Sequence, residues 1–263
     1  MRIDAHAVAD IAVMAGAALR THRGRAREIR APKKDFLTSA DLQAETYILA
    51  ALSEFGDIPV LSEETGGEEK HKGRLWVVDP LDGSLNYWRG DHFWGISIAL
   101  VKDGVSTIGT VYLPESQELF FAALSKGAYR ETQESERAIH VSAGADIKKS
   151  QVWTDHIKGS PDLTCEIFRQ LSQATRYPQV RLCATASLMQ VAQGKIDGYI
   201  HPKPEPWDIA AAALIVEMAG GKATNFVGEP WTPFSESIIA SNGYIHTQLL
   251  EIAYAAVTAT RNR

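Results

Sequence analysis

The chain has 263 residues, 45% of them hydrophobic, and a formal net charge of −5. That is enough apolar material for one large domain or two closely packed halves and argues against disorder, while the negative balance argues against a dedicated nucleic-acid binder. The longest apolar stretch near the N-terminus, Ile11 to Leu19, falls short of the roughly 20 residues of a spanning helix, so no membrane partner is expected. Met1-Arg-Ile-Asp4 does not open like a signal peptide, and a cytoplasmic location is expected.

Asp4 to about Arg20 reads as a helix with Val8, Ile11, Ala12, Ala15 and Leu19 on one face. Basic residues then cluster from Arg20 to Lys34 (Arg20, Arg23, Arg25, Arg27, Arg30, Lys33, Lys34); they suit a solvated helix end and loop, or a positive field that steers a phosphorylated substrate. A second helix is expected from near Thr38 to just before Gly56, with Leu42, Ile48, Leu49, Leu52 and Phe55 inward. Strands follow at Ile58 to Leu61, Leu75 to Val78, Trp94 to Val101, Val105 to Leu113 and Leu119 to Ala123, with Asp103-Gly104 as a hairpin turn. Beyond a polar stretch at Glu131 to Arg137, helices at about 162–174, 185–193, 208–219 and 245–260 alternate with strands near 151–154, 197–201 and 237–241. A boundary near residue 145 would divide a single domain, 1–263, into subdomains of about 1–145 and 146–263. Cys165 and Cys183 lack metal-site spacing and are expected to be buried, reduced thiols with no part in the chemistry.

Asp79-Pro-Leu-Asp-Gly-Ser84 carries the chemical signal, because it sets two carboxylates three residues apart at the end of an apolar strand. Proline stiffens the turn, glycine allows close backbone approach, and Gly83-Ser84 can open a short helix whose N–H groups attract phosphate oxygens. Further acids stand at other element ends: Glu63-Glu64 after Leu61, and Asp208 before the run Ile209 to Leu214. These are oxygen donors only, which suits hard Mg²⁺ better than Zn²⁺. Each acid alone could simply cap a turn; Thr38-x-x-Asp41, for one, has the pattern of a capping box.

Asp79-Pro-Leu-Asp-Gly-Ser-Leu-Asn86 resembles the signature Asp-Pro-[Ile/Leu]-Asp-Gly-Thr-x-Asn of the inositol monophosphatase family. Trp207-Asp-Ile-Ala-Ala211 with Glu217-Met-Ala-Gly-Gly221 resembles its second signature, and Thr38-Ser-Ala-Asp41 and Glu63-Glu64 its Thr-x-x-Asp and Glu-Glu segments. The resemblance spans essentially the whole chain. It implies an α/β fold, the layered αβαβα sandwich of the inositol monophosphatase and fructose-1,6-bisphosphatase type, with the site between the halves. It implies a Mg²⁺-dependent, lithium-sensitive phosphomonoesterase, a homodimer, acting on a small phosphorylated substrate with two or three Mg²⁺ ions per site. Glu63, Asp79 and the Leu81 carbonyl would bind one ion, and Asp79, Asp82 and Asp208 a second. A third would sit near Glu63 through water. Ser84, paired with Asp41, would orient the attacking water, and the N–H groups of Gly83 and Ser84 would hold phosphate.

The alcohol-binding side departs from the pattern. Family members acting on inositol phosphate carry an acid just after their Asp-x-Tyr segment, whereas Asp197-Gly-Tyr-Ile is followed by His201, which cannot replace a carboxylate acceptor directly. The Gly-[Ser/Thr]-Ala-Ala loop becomes Leu182-Cys-Ala-Thr-Ala186, leaving Ala184 and Thr185 as candidate substrate contacts beside His201, Asp82 and Asp208. Glu205 is a candidate for the missing acceptor. Inositol monophosphate is therefore one candidate among histidinol phosphate, sugar phosphates and a nucleotide 3′-phosphate; a noncatalytic regulatory homologue is the other class of reading.

Overall fold

Two helices begin the computed structural model, which describes residues 3–29, 36–67, 72–156 and 161–262. Helix α1 (Ala5–His22) starts where Asp4 accepts the His6 N–H, and α2 (Ser39–Ser53) starts in a reciprocal capping box between Thr38 and Asp41. Strands β1 (Val60–Ser62) and β2 (Arg74–Asp82) are parallel; short helix α3 (Ser84–Arg89) separates them from β3 (Gly95–Lys102), β4 (Val105–Leu113) and β5 (Glu118–Ala123). With β6 (Ala128–Glu131) and β7 (Glu136–Ala138) these form a seven-stranded sheet in sequential order, antiparallel after its first pair.

The second half alternates: β8 (Val152–Thr154), α4 (Pro161–Ala174), β9 (Gln179–Val180), α5 (Ala184–Ala192), β10 (Gly198–His201), α6 (Pro206–Ile209), α7 (Ala212–Met218), β11 (Lys222–Thr224), β12 (Ile238–Ser241) and α8 (His246–Arg261). Its five strands run in the order β11-β12-β10-β8-β9, with β8 parallel to both β10 and β9.

Three apolar cores separate five layers. Trp76, Val78, Ile98 and Leu100 pack under α1 and α2, while Leu75, Val77, Ala99 and Val101, alternating with them along β2 and β3, pack on α5 and α7. The third core lies between the second sheet and α4 and α8, around Ile167, Ile200, Ile239 and Leu249. The order is αβαβα, as the resemblance implied. A sheet covered on both faces has no polar side, which is why β2 and β3 read as nearly continuous apolar runs. The inner layer approaches closely: a Cβ on Gly109 would lie 2.6 Å from the Ala211 carbonyl oxygen. Among the described residues no helix is long and apolar enough to cross a membrane.

Three expectations need correction, and one polar stretch has a structure that periodicity did not show. The helix expected over 208–219 is broken at Ala210-Ala211, because the sheet supplies donors to its carbonyls: Ser106 Oγ donates to Ala210 O at 2.7 Å and Ser97 Oγ to Trp207 O at 3.2 Å. Leu42 is 38% exposed, since the inward stripe of α2 runs through Asp41, Ala44, Glu45, Ile48 and Leu52. The polar stretch Glu131 to Arg137 spans parts of an edge hairpin, in which Arg130 pairs with Arg137 and Glu131 with Glu136. Cys165 is exposed on α4 rather than buried.

Candidate active site

Strand β2 carries Asp79 opposite Ser97 and Asp82 opposite Gly95, so three steps on β2 match two on β3. Regular pleating would send residues three apart to opposite faces; this bulge at Pro80-Leu81 aims both carboxylates into one cleft. Proline is tolerated there because the ladder is already interrupted. Asp79 Oδ1 accepts the Leu81 N–H at 3.0 Å, which tightens the turn. Gly83 then takes φ 82°, a left-handed conformation, and a Cβ there would lie 3.1 Å from the Phe93 carbonyl oxygen.

The cleft, about 480 Å³ in volume, is lined by Glu63, Asp79, Asp82 and Asp208 together with Leu81, Gly83, Ser84, Ala184 and His201. Glu63 follows β1 and donates its N–H to Val78 O at 3.2 Å, so the parallel β1-β2 pair carries both acids to the same end of the sheet. The turn behind Glu63 is held by buried Glu45, which accepts from Thr65 N at 3.0 Å and Thr65 Oγ1 at 3.2 Å. Asp208 lies in α6, where its Oδ2 accepts the Glu205 N–H at 2.8 Å. Glu205 itself lines a separate depression with Lys203 and Phe234, not this cleft, although its charge still acts on Asp208.

Asp41 combines its two readings. Its Oδ2 accepts from Thr38 N and Thr38 Oγ1 at 2.9 and 2.6 Å, closing the helix cap, while its Oδ1 accepts from Ser84 Oγ at 2.5 Å. Asn86 braces the turn through Nδ2, which donates to Phe93 O and Arg181 O at 2.8 and 3.0 Å. Thr185 is fully buried behind the lining; its N–H and hydroxyl both donate to Asp82 Oδ2. The Cys183 sulfur lies 3.2 Å from that same oxygen, so this thiol does touch the site, contrary to the sequence reading.

Burial raises the carboxyl pKa of Asp79, and the charges of Glu63, Asp82 and Asp208 raise it further. Asp208 is raised by burial and then by Asp82; in Asp82, burial is opposed by the hydrogen bonds from Thr185 and Cys183. Burial also raises Asp41 and pulls His201 down to about 3, which keeps its imidazole neutral. Clustered acids that raise one another's pKa, with oxygen atoms and no thiolate among them, fit a hard divalent cation. The group His6, Glu131 and Glu136, with ligand atoms within 4.8 Å of one another, shares no residue with this cleft.

Sequence reasoning passed over Asp155 and His156, which line the same cleft. Asp155 follows strand Val152–Thr154 as Asp79 ends an apolar run, so acid at a strand end was the available signal. Of the basic run, Arg23 pairs with Glu115 at 2.5 Å; Arg30, Lys33 and Lys34 lie outside the described residues.

The chain is 30% identical to "Fructose-1,6-bisphosphatase/inositol-1-monophosphatase" of Thermotoga maritima over 244 residues, covering 92% of each. It is 33% identical to "Histidinol-phosphatase" of Mycobacterium tuberculosis over 221 residues, 81% of this chain and 83% of that one. The solved structure of a Thermotoga maritima IMPase superposes with a TM-score of 0.87 at 29% identity, covering 96% of this chain and 97% of that one. The model of the inositol monophosphatase family matches residues 2–258, and the chain belongs to that family.

Proposed function

We propose that the protein is a Mg²⁺-dependent phosphomonoesterase that hydrolyses a small phosphorylated alcohol by attack of water. The observation that carries this is the convergence of Glu63, Asp79, Asp82 and Asp208 in one cleft beside the Ser84–Asp41 pair. The uncatalysed reaction is among the slowest known, with accelerations approaching ~10²¹-fold. A general base contributes only ~10²–10⁴ of that, so charge neutralisation and positioning must provide the rest. Two or three Mg²⁺ ions, held by Glu63, Asp79, the Leu81 carbonyl, Asp82 and Asp208, would supply that neutralisation and an acidified water.

The chain's own groups do the orienting. The single Ser84 hydroxyl proton has two acceptors, Asp41 Oδ1 at 2.5 Å and Leu81 O at 2.9 Å. The charged acceptor is favoured, which leaves the Leu81 carbonyl available to a cation and a Ser84 lone pair available to the attacking water. Serine in place of the usual threonine keeps this hydroxyl but loses the methyl that restricts its rotamer. Phosphate oxygens would meet Gly83 and Ser84 where α3 opens, and Ala184 and His201 would face the alcohol; Thr185 supports the reading by fixing Asp82. Homodimerisation and lithium sensitivity rest on the family resemblance.

The test is phosphate release from a panel of phosphomonoesters as a function of Mg²⁺. Release that requires Mg²⁺ and differs between substrates is expected. A folded protein that binds Mg²⁺ yet releases phosphate from none of them would instead be the noncatalytic, regulatory homologue.

A further inference from the structure

The outer hairpin of the first sheet sets like charges against each other. In the register of β6 and β7, Arg130 stands opposite Arg137 and Glu131 opposite Glu136. Like charges directly opposite in an antiparallel pair are destabilising. Successive side chains alternate between faces, so the arginines share one face and the glutamates the other. The arginine face has its counter-charge: Arg130 Nη2 pairs with Glu118 Oε1 at 2.6 Å. On the glutamate face, no described Lys or Arg forms an ion pair with Glu131 or Glu136.

An imidazole stands there instead. A ring nitrogen of His6 and one oxygen of each glutamate lie within 4.8 Å of one another. The ring is held from two sides. His6 is in the first turn of α1, where its backbone N–H donates to Asp4 Oδ1 at 3.3 Å, and its ring lies 4.5 Å from that of Phe121. Phe121 in turn is in register with Tyr129 and stacks on it at 5.6 Å, and Tyr129 shares a strand face with Glu131, two residues on. His6 and Glu136 also line a cavity of about 1010 Å³ between the start of α1 and the sheet, which Lys126 lines without pairing with either glutamate. That cavity shares no residue with the catalytic cleft.

We propose that His6, Glu131 and Glu136 form a second metal site, one for Zn²⁺. Imidazole nitrogen and carboxylate oxygen are both zinc donors, and three protein ligands leave a fourth position for water or for a donor that enters the cavity. The catalytic cleft, with oxygen donors alone, suits a harder ion. Tetrahedral bonds of about 2.0–2.2 Å hold ligand atoms roughly 3.4 Å apart. Closing to that spacing takes only side-chain rotation, which the exposed His6 and Glu136 allow. The ion would neutralise the opposed glutamates and tie the first turn of α1 to the edge strand of the sheet.

The test uses the whole chain in excess Mg²⁺, with Zn²⁺ as the added ion, in wild type, His6→Ala and Glu131→Gln. After dialysis wild type should retain one more Zn²⁺ per chain than either variant. Zn²⁺ at a hundredfold excess over Kd should raise the melting temperature of wild type by about 5–10 °C more than that of the variants. Glu131→Gln removes one of the opposed charges, so without Zn²⁺ it should melt above wild type while losing the Zn²⁺ increment; His6→Ala should lose the increment without that gain. In the nitrogen-15 spectrum of the imidazoles, the resonance that His6→Ala removes should shift as Zn²⁺ binds. Equal Zn²⁺ retention and equal increments in all three proteins, or a His6 resonance indifferent to Zn²⁺, would overturn the inference and leave the catalytic cleft as the place of any bound Zn²⁺. Mg²⁺ retention should be the same in all three, since none of these residues lines that cleft. A variant that loses Mg²⁺ along with Zn²⁺ would show a disturbed cleft rather than a lost second site, and would overturn it as well.

Discussion

Thr185 gives both of its donors to one oxygen of Asp82: the N–H at 2.6 Å and the hydroxyl at 2.7 Å, both to Oδ2. With the Cys183 sulfur also 3.2 Å from Oδ2, the other oxygen is the one presented to the cleft. Groups that orient a metal ligand typically matter 10- to 100-fold. Thr185→Val, which keeps shape and N–H but loses the hydroxyl, should raise the Mg²⁺ concentration for half-maximal phosphate release by about that factor. Thr185→Ser should restore it. A changed KM for substrate at an unchanged Mg²⁺ requirement would return Thr185 to the substrate-contact role suggested by the sequence.

The two sides of Asp41 can be separated. Thr38→Val removes the hydroxyl that donates to Asp41 Oδ2 and accepts from Ala40 N, and should cost about 0.5–2 kcal/mol of stability with turnover altered less than about tenfold. Asp41→Asn also turns a donor toward either Thr38 or Ser84, and turnover should fall by about 10²–10⁴. Thermal melts and kcat measured on both variants check this. Equal turnover losses would mean that the helix cap, not the Ser84 contact, controls the chemistry.

The strand-end acids were legible because each ends or follows an apolar run and sits beside a turn residue. Asp79 and Asp82 needed no knowledge of the fold. What periodicity missed has physical causes. It counted Leu42 as core because it weighs only hydrophobicity, whereas α2 turns Asp41 and Glu45 inward to hold Ser84 and Thr65. The edge strand β7 has only exposed residues and therefore no alternation to detect. The break at Ala210 depends on hydroxyls of Ser97 and Ser106, more than a hundred residues away in sequence. Asp155 carried the same signal, an acid directly after a strand, but the strand Val152–Thr154 is only three residues long, and no second acid stands beside it in the sequence.

Asp155 also predicts a pH effect in the metal-free protein. Burial pushes its carboxyl up to about 7 from an ordinary 3.8. At low pH it is protonated in folded and unfolded chains alike. As pH rises past 3.8 the unfolded chain ionises first, so stability is lost until the folded group also ionises near about 7. The melting temperature of Asp155→Asn minus that of wild type, in chelator, should therefore grow from about pH 4 to about pH 7 and level off above. A difference that stays constant across this range would place the ionisation of Asp155 elsewhere.

Asp208 offers a test in which function and stability move in opposite directions. Its carboxyl is raised by burial and by Asp82, so without a cation its charge destabilises the fold. Asp208→Asn removes that charge and retains an oxygen for the Glu205 N–H, the contact that caps α6. The metal-free variant should melt higher than metal-free wild type. Mg²⁺ stabilises a site by about 2.7 kcal/mol at a hundredfold excess over Kd, and this increment should shrink because a ligand is lost. Turnover should fall at least about a hundredfold. Circular dichroism melts in chelator and in Mg²⁺, alongside phosphate release, measure all three. If the variant keeps the full Mg²⁺ increment and near wild-type turnover, Asp208 holds no metal, and its carboxylate serves only the cap of α6.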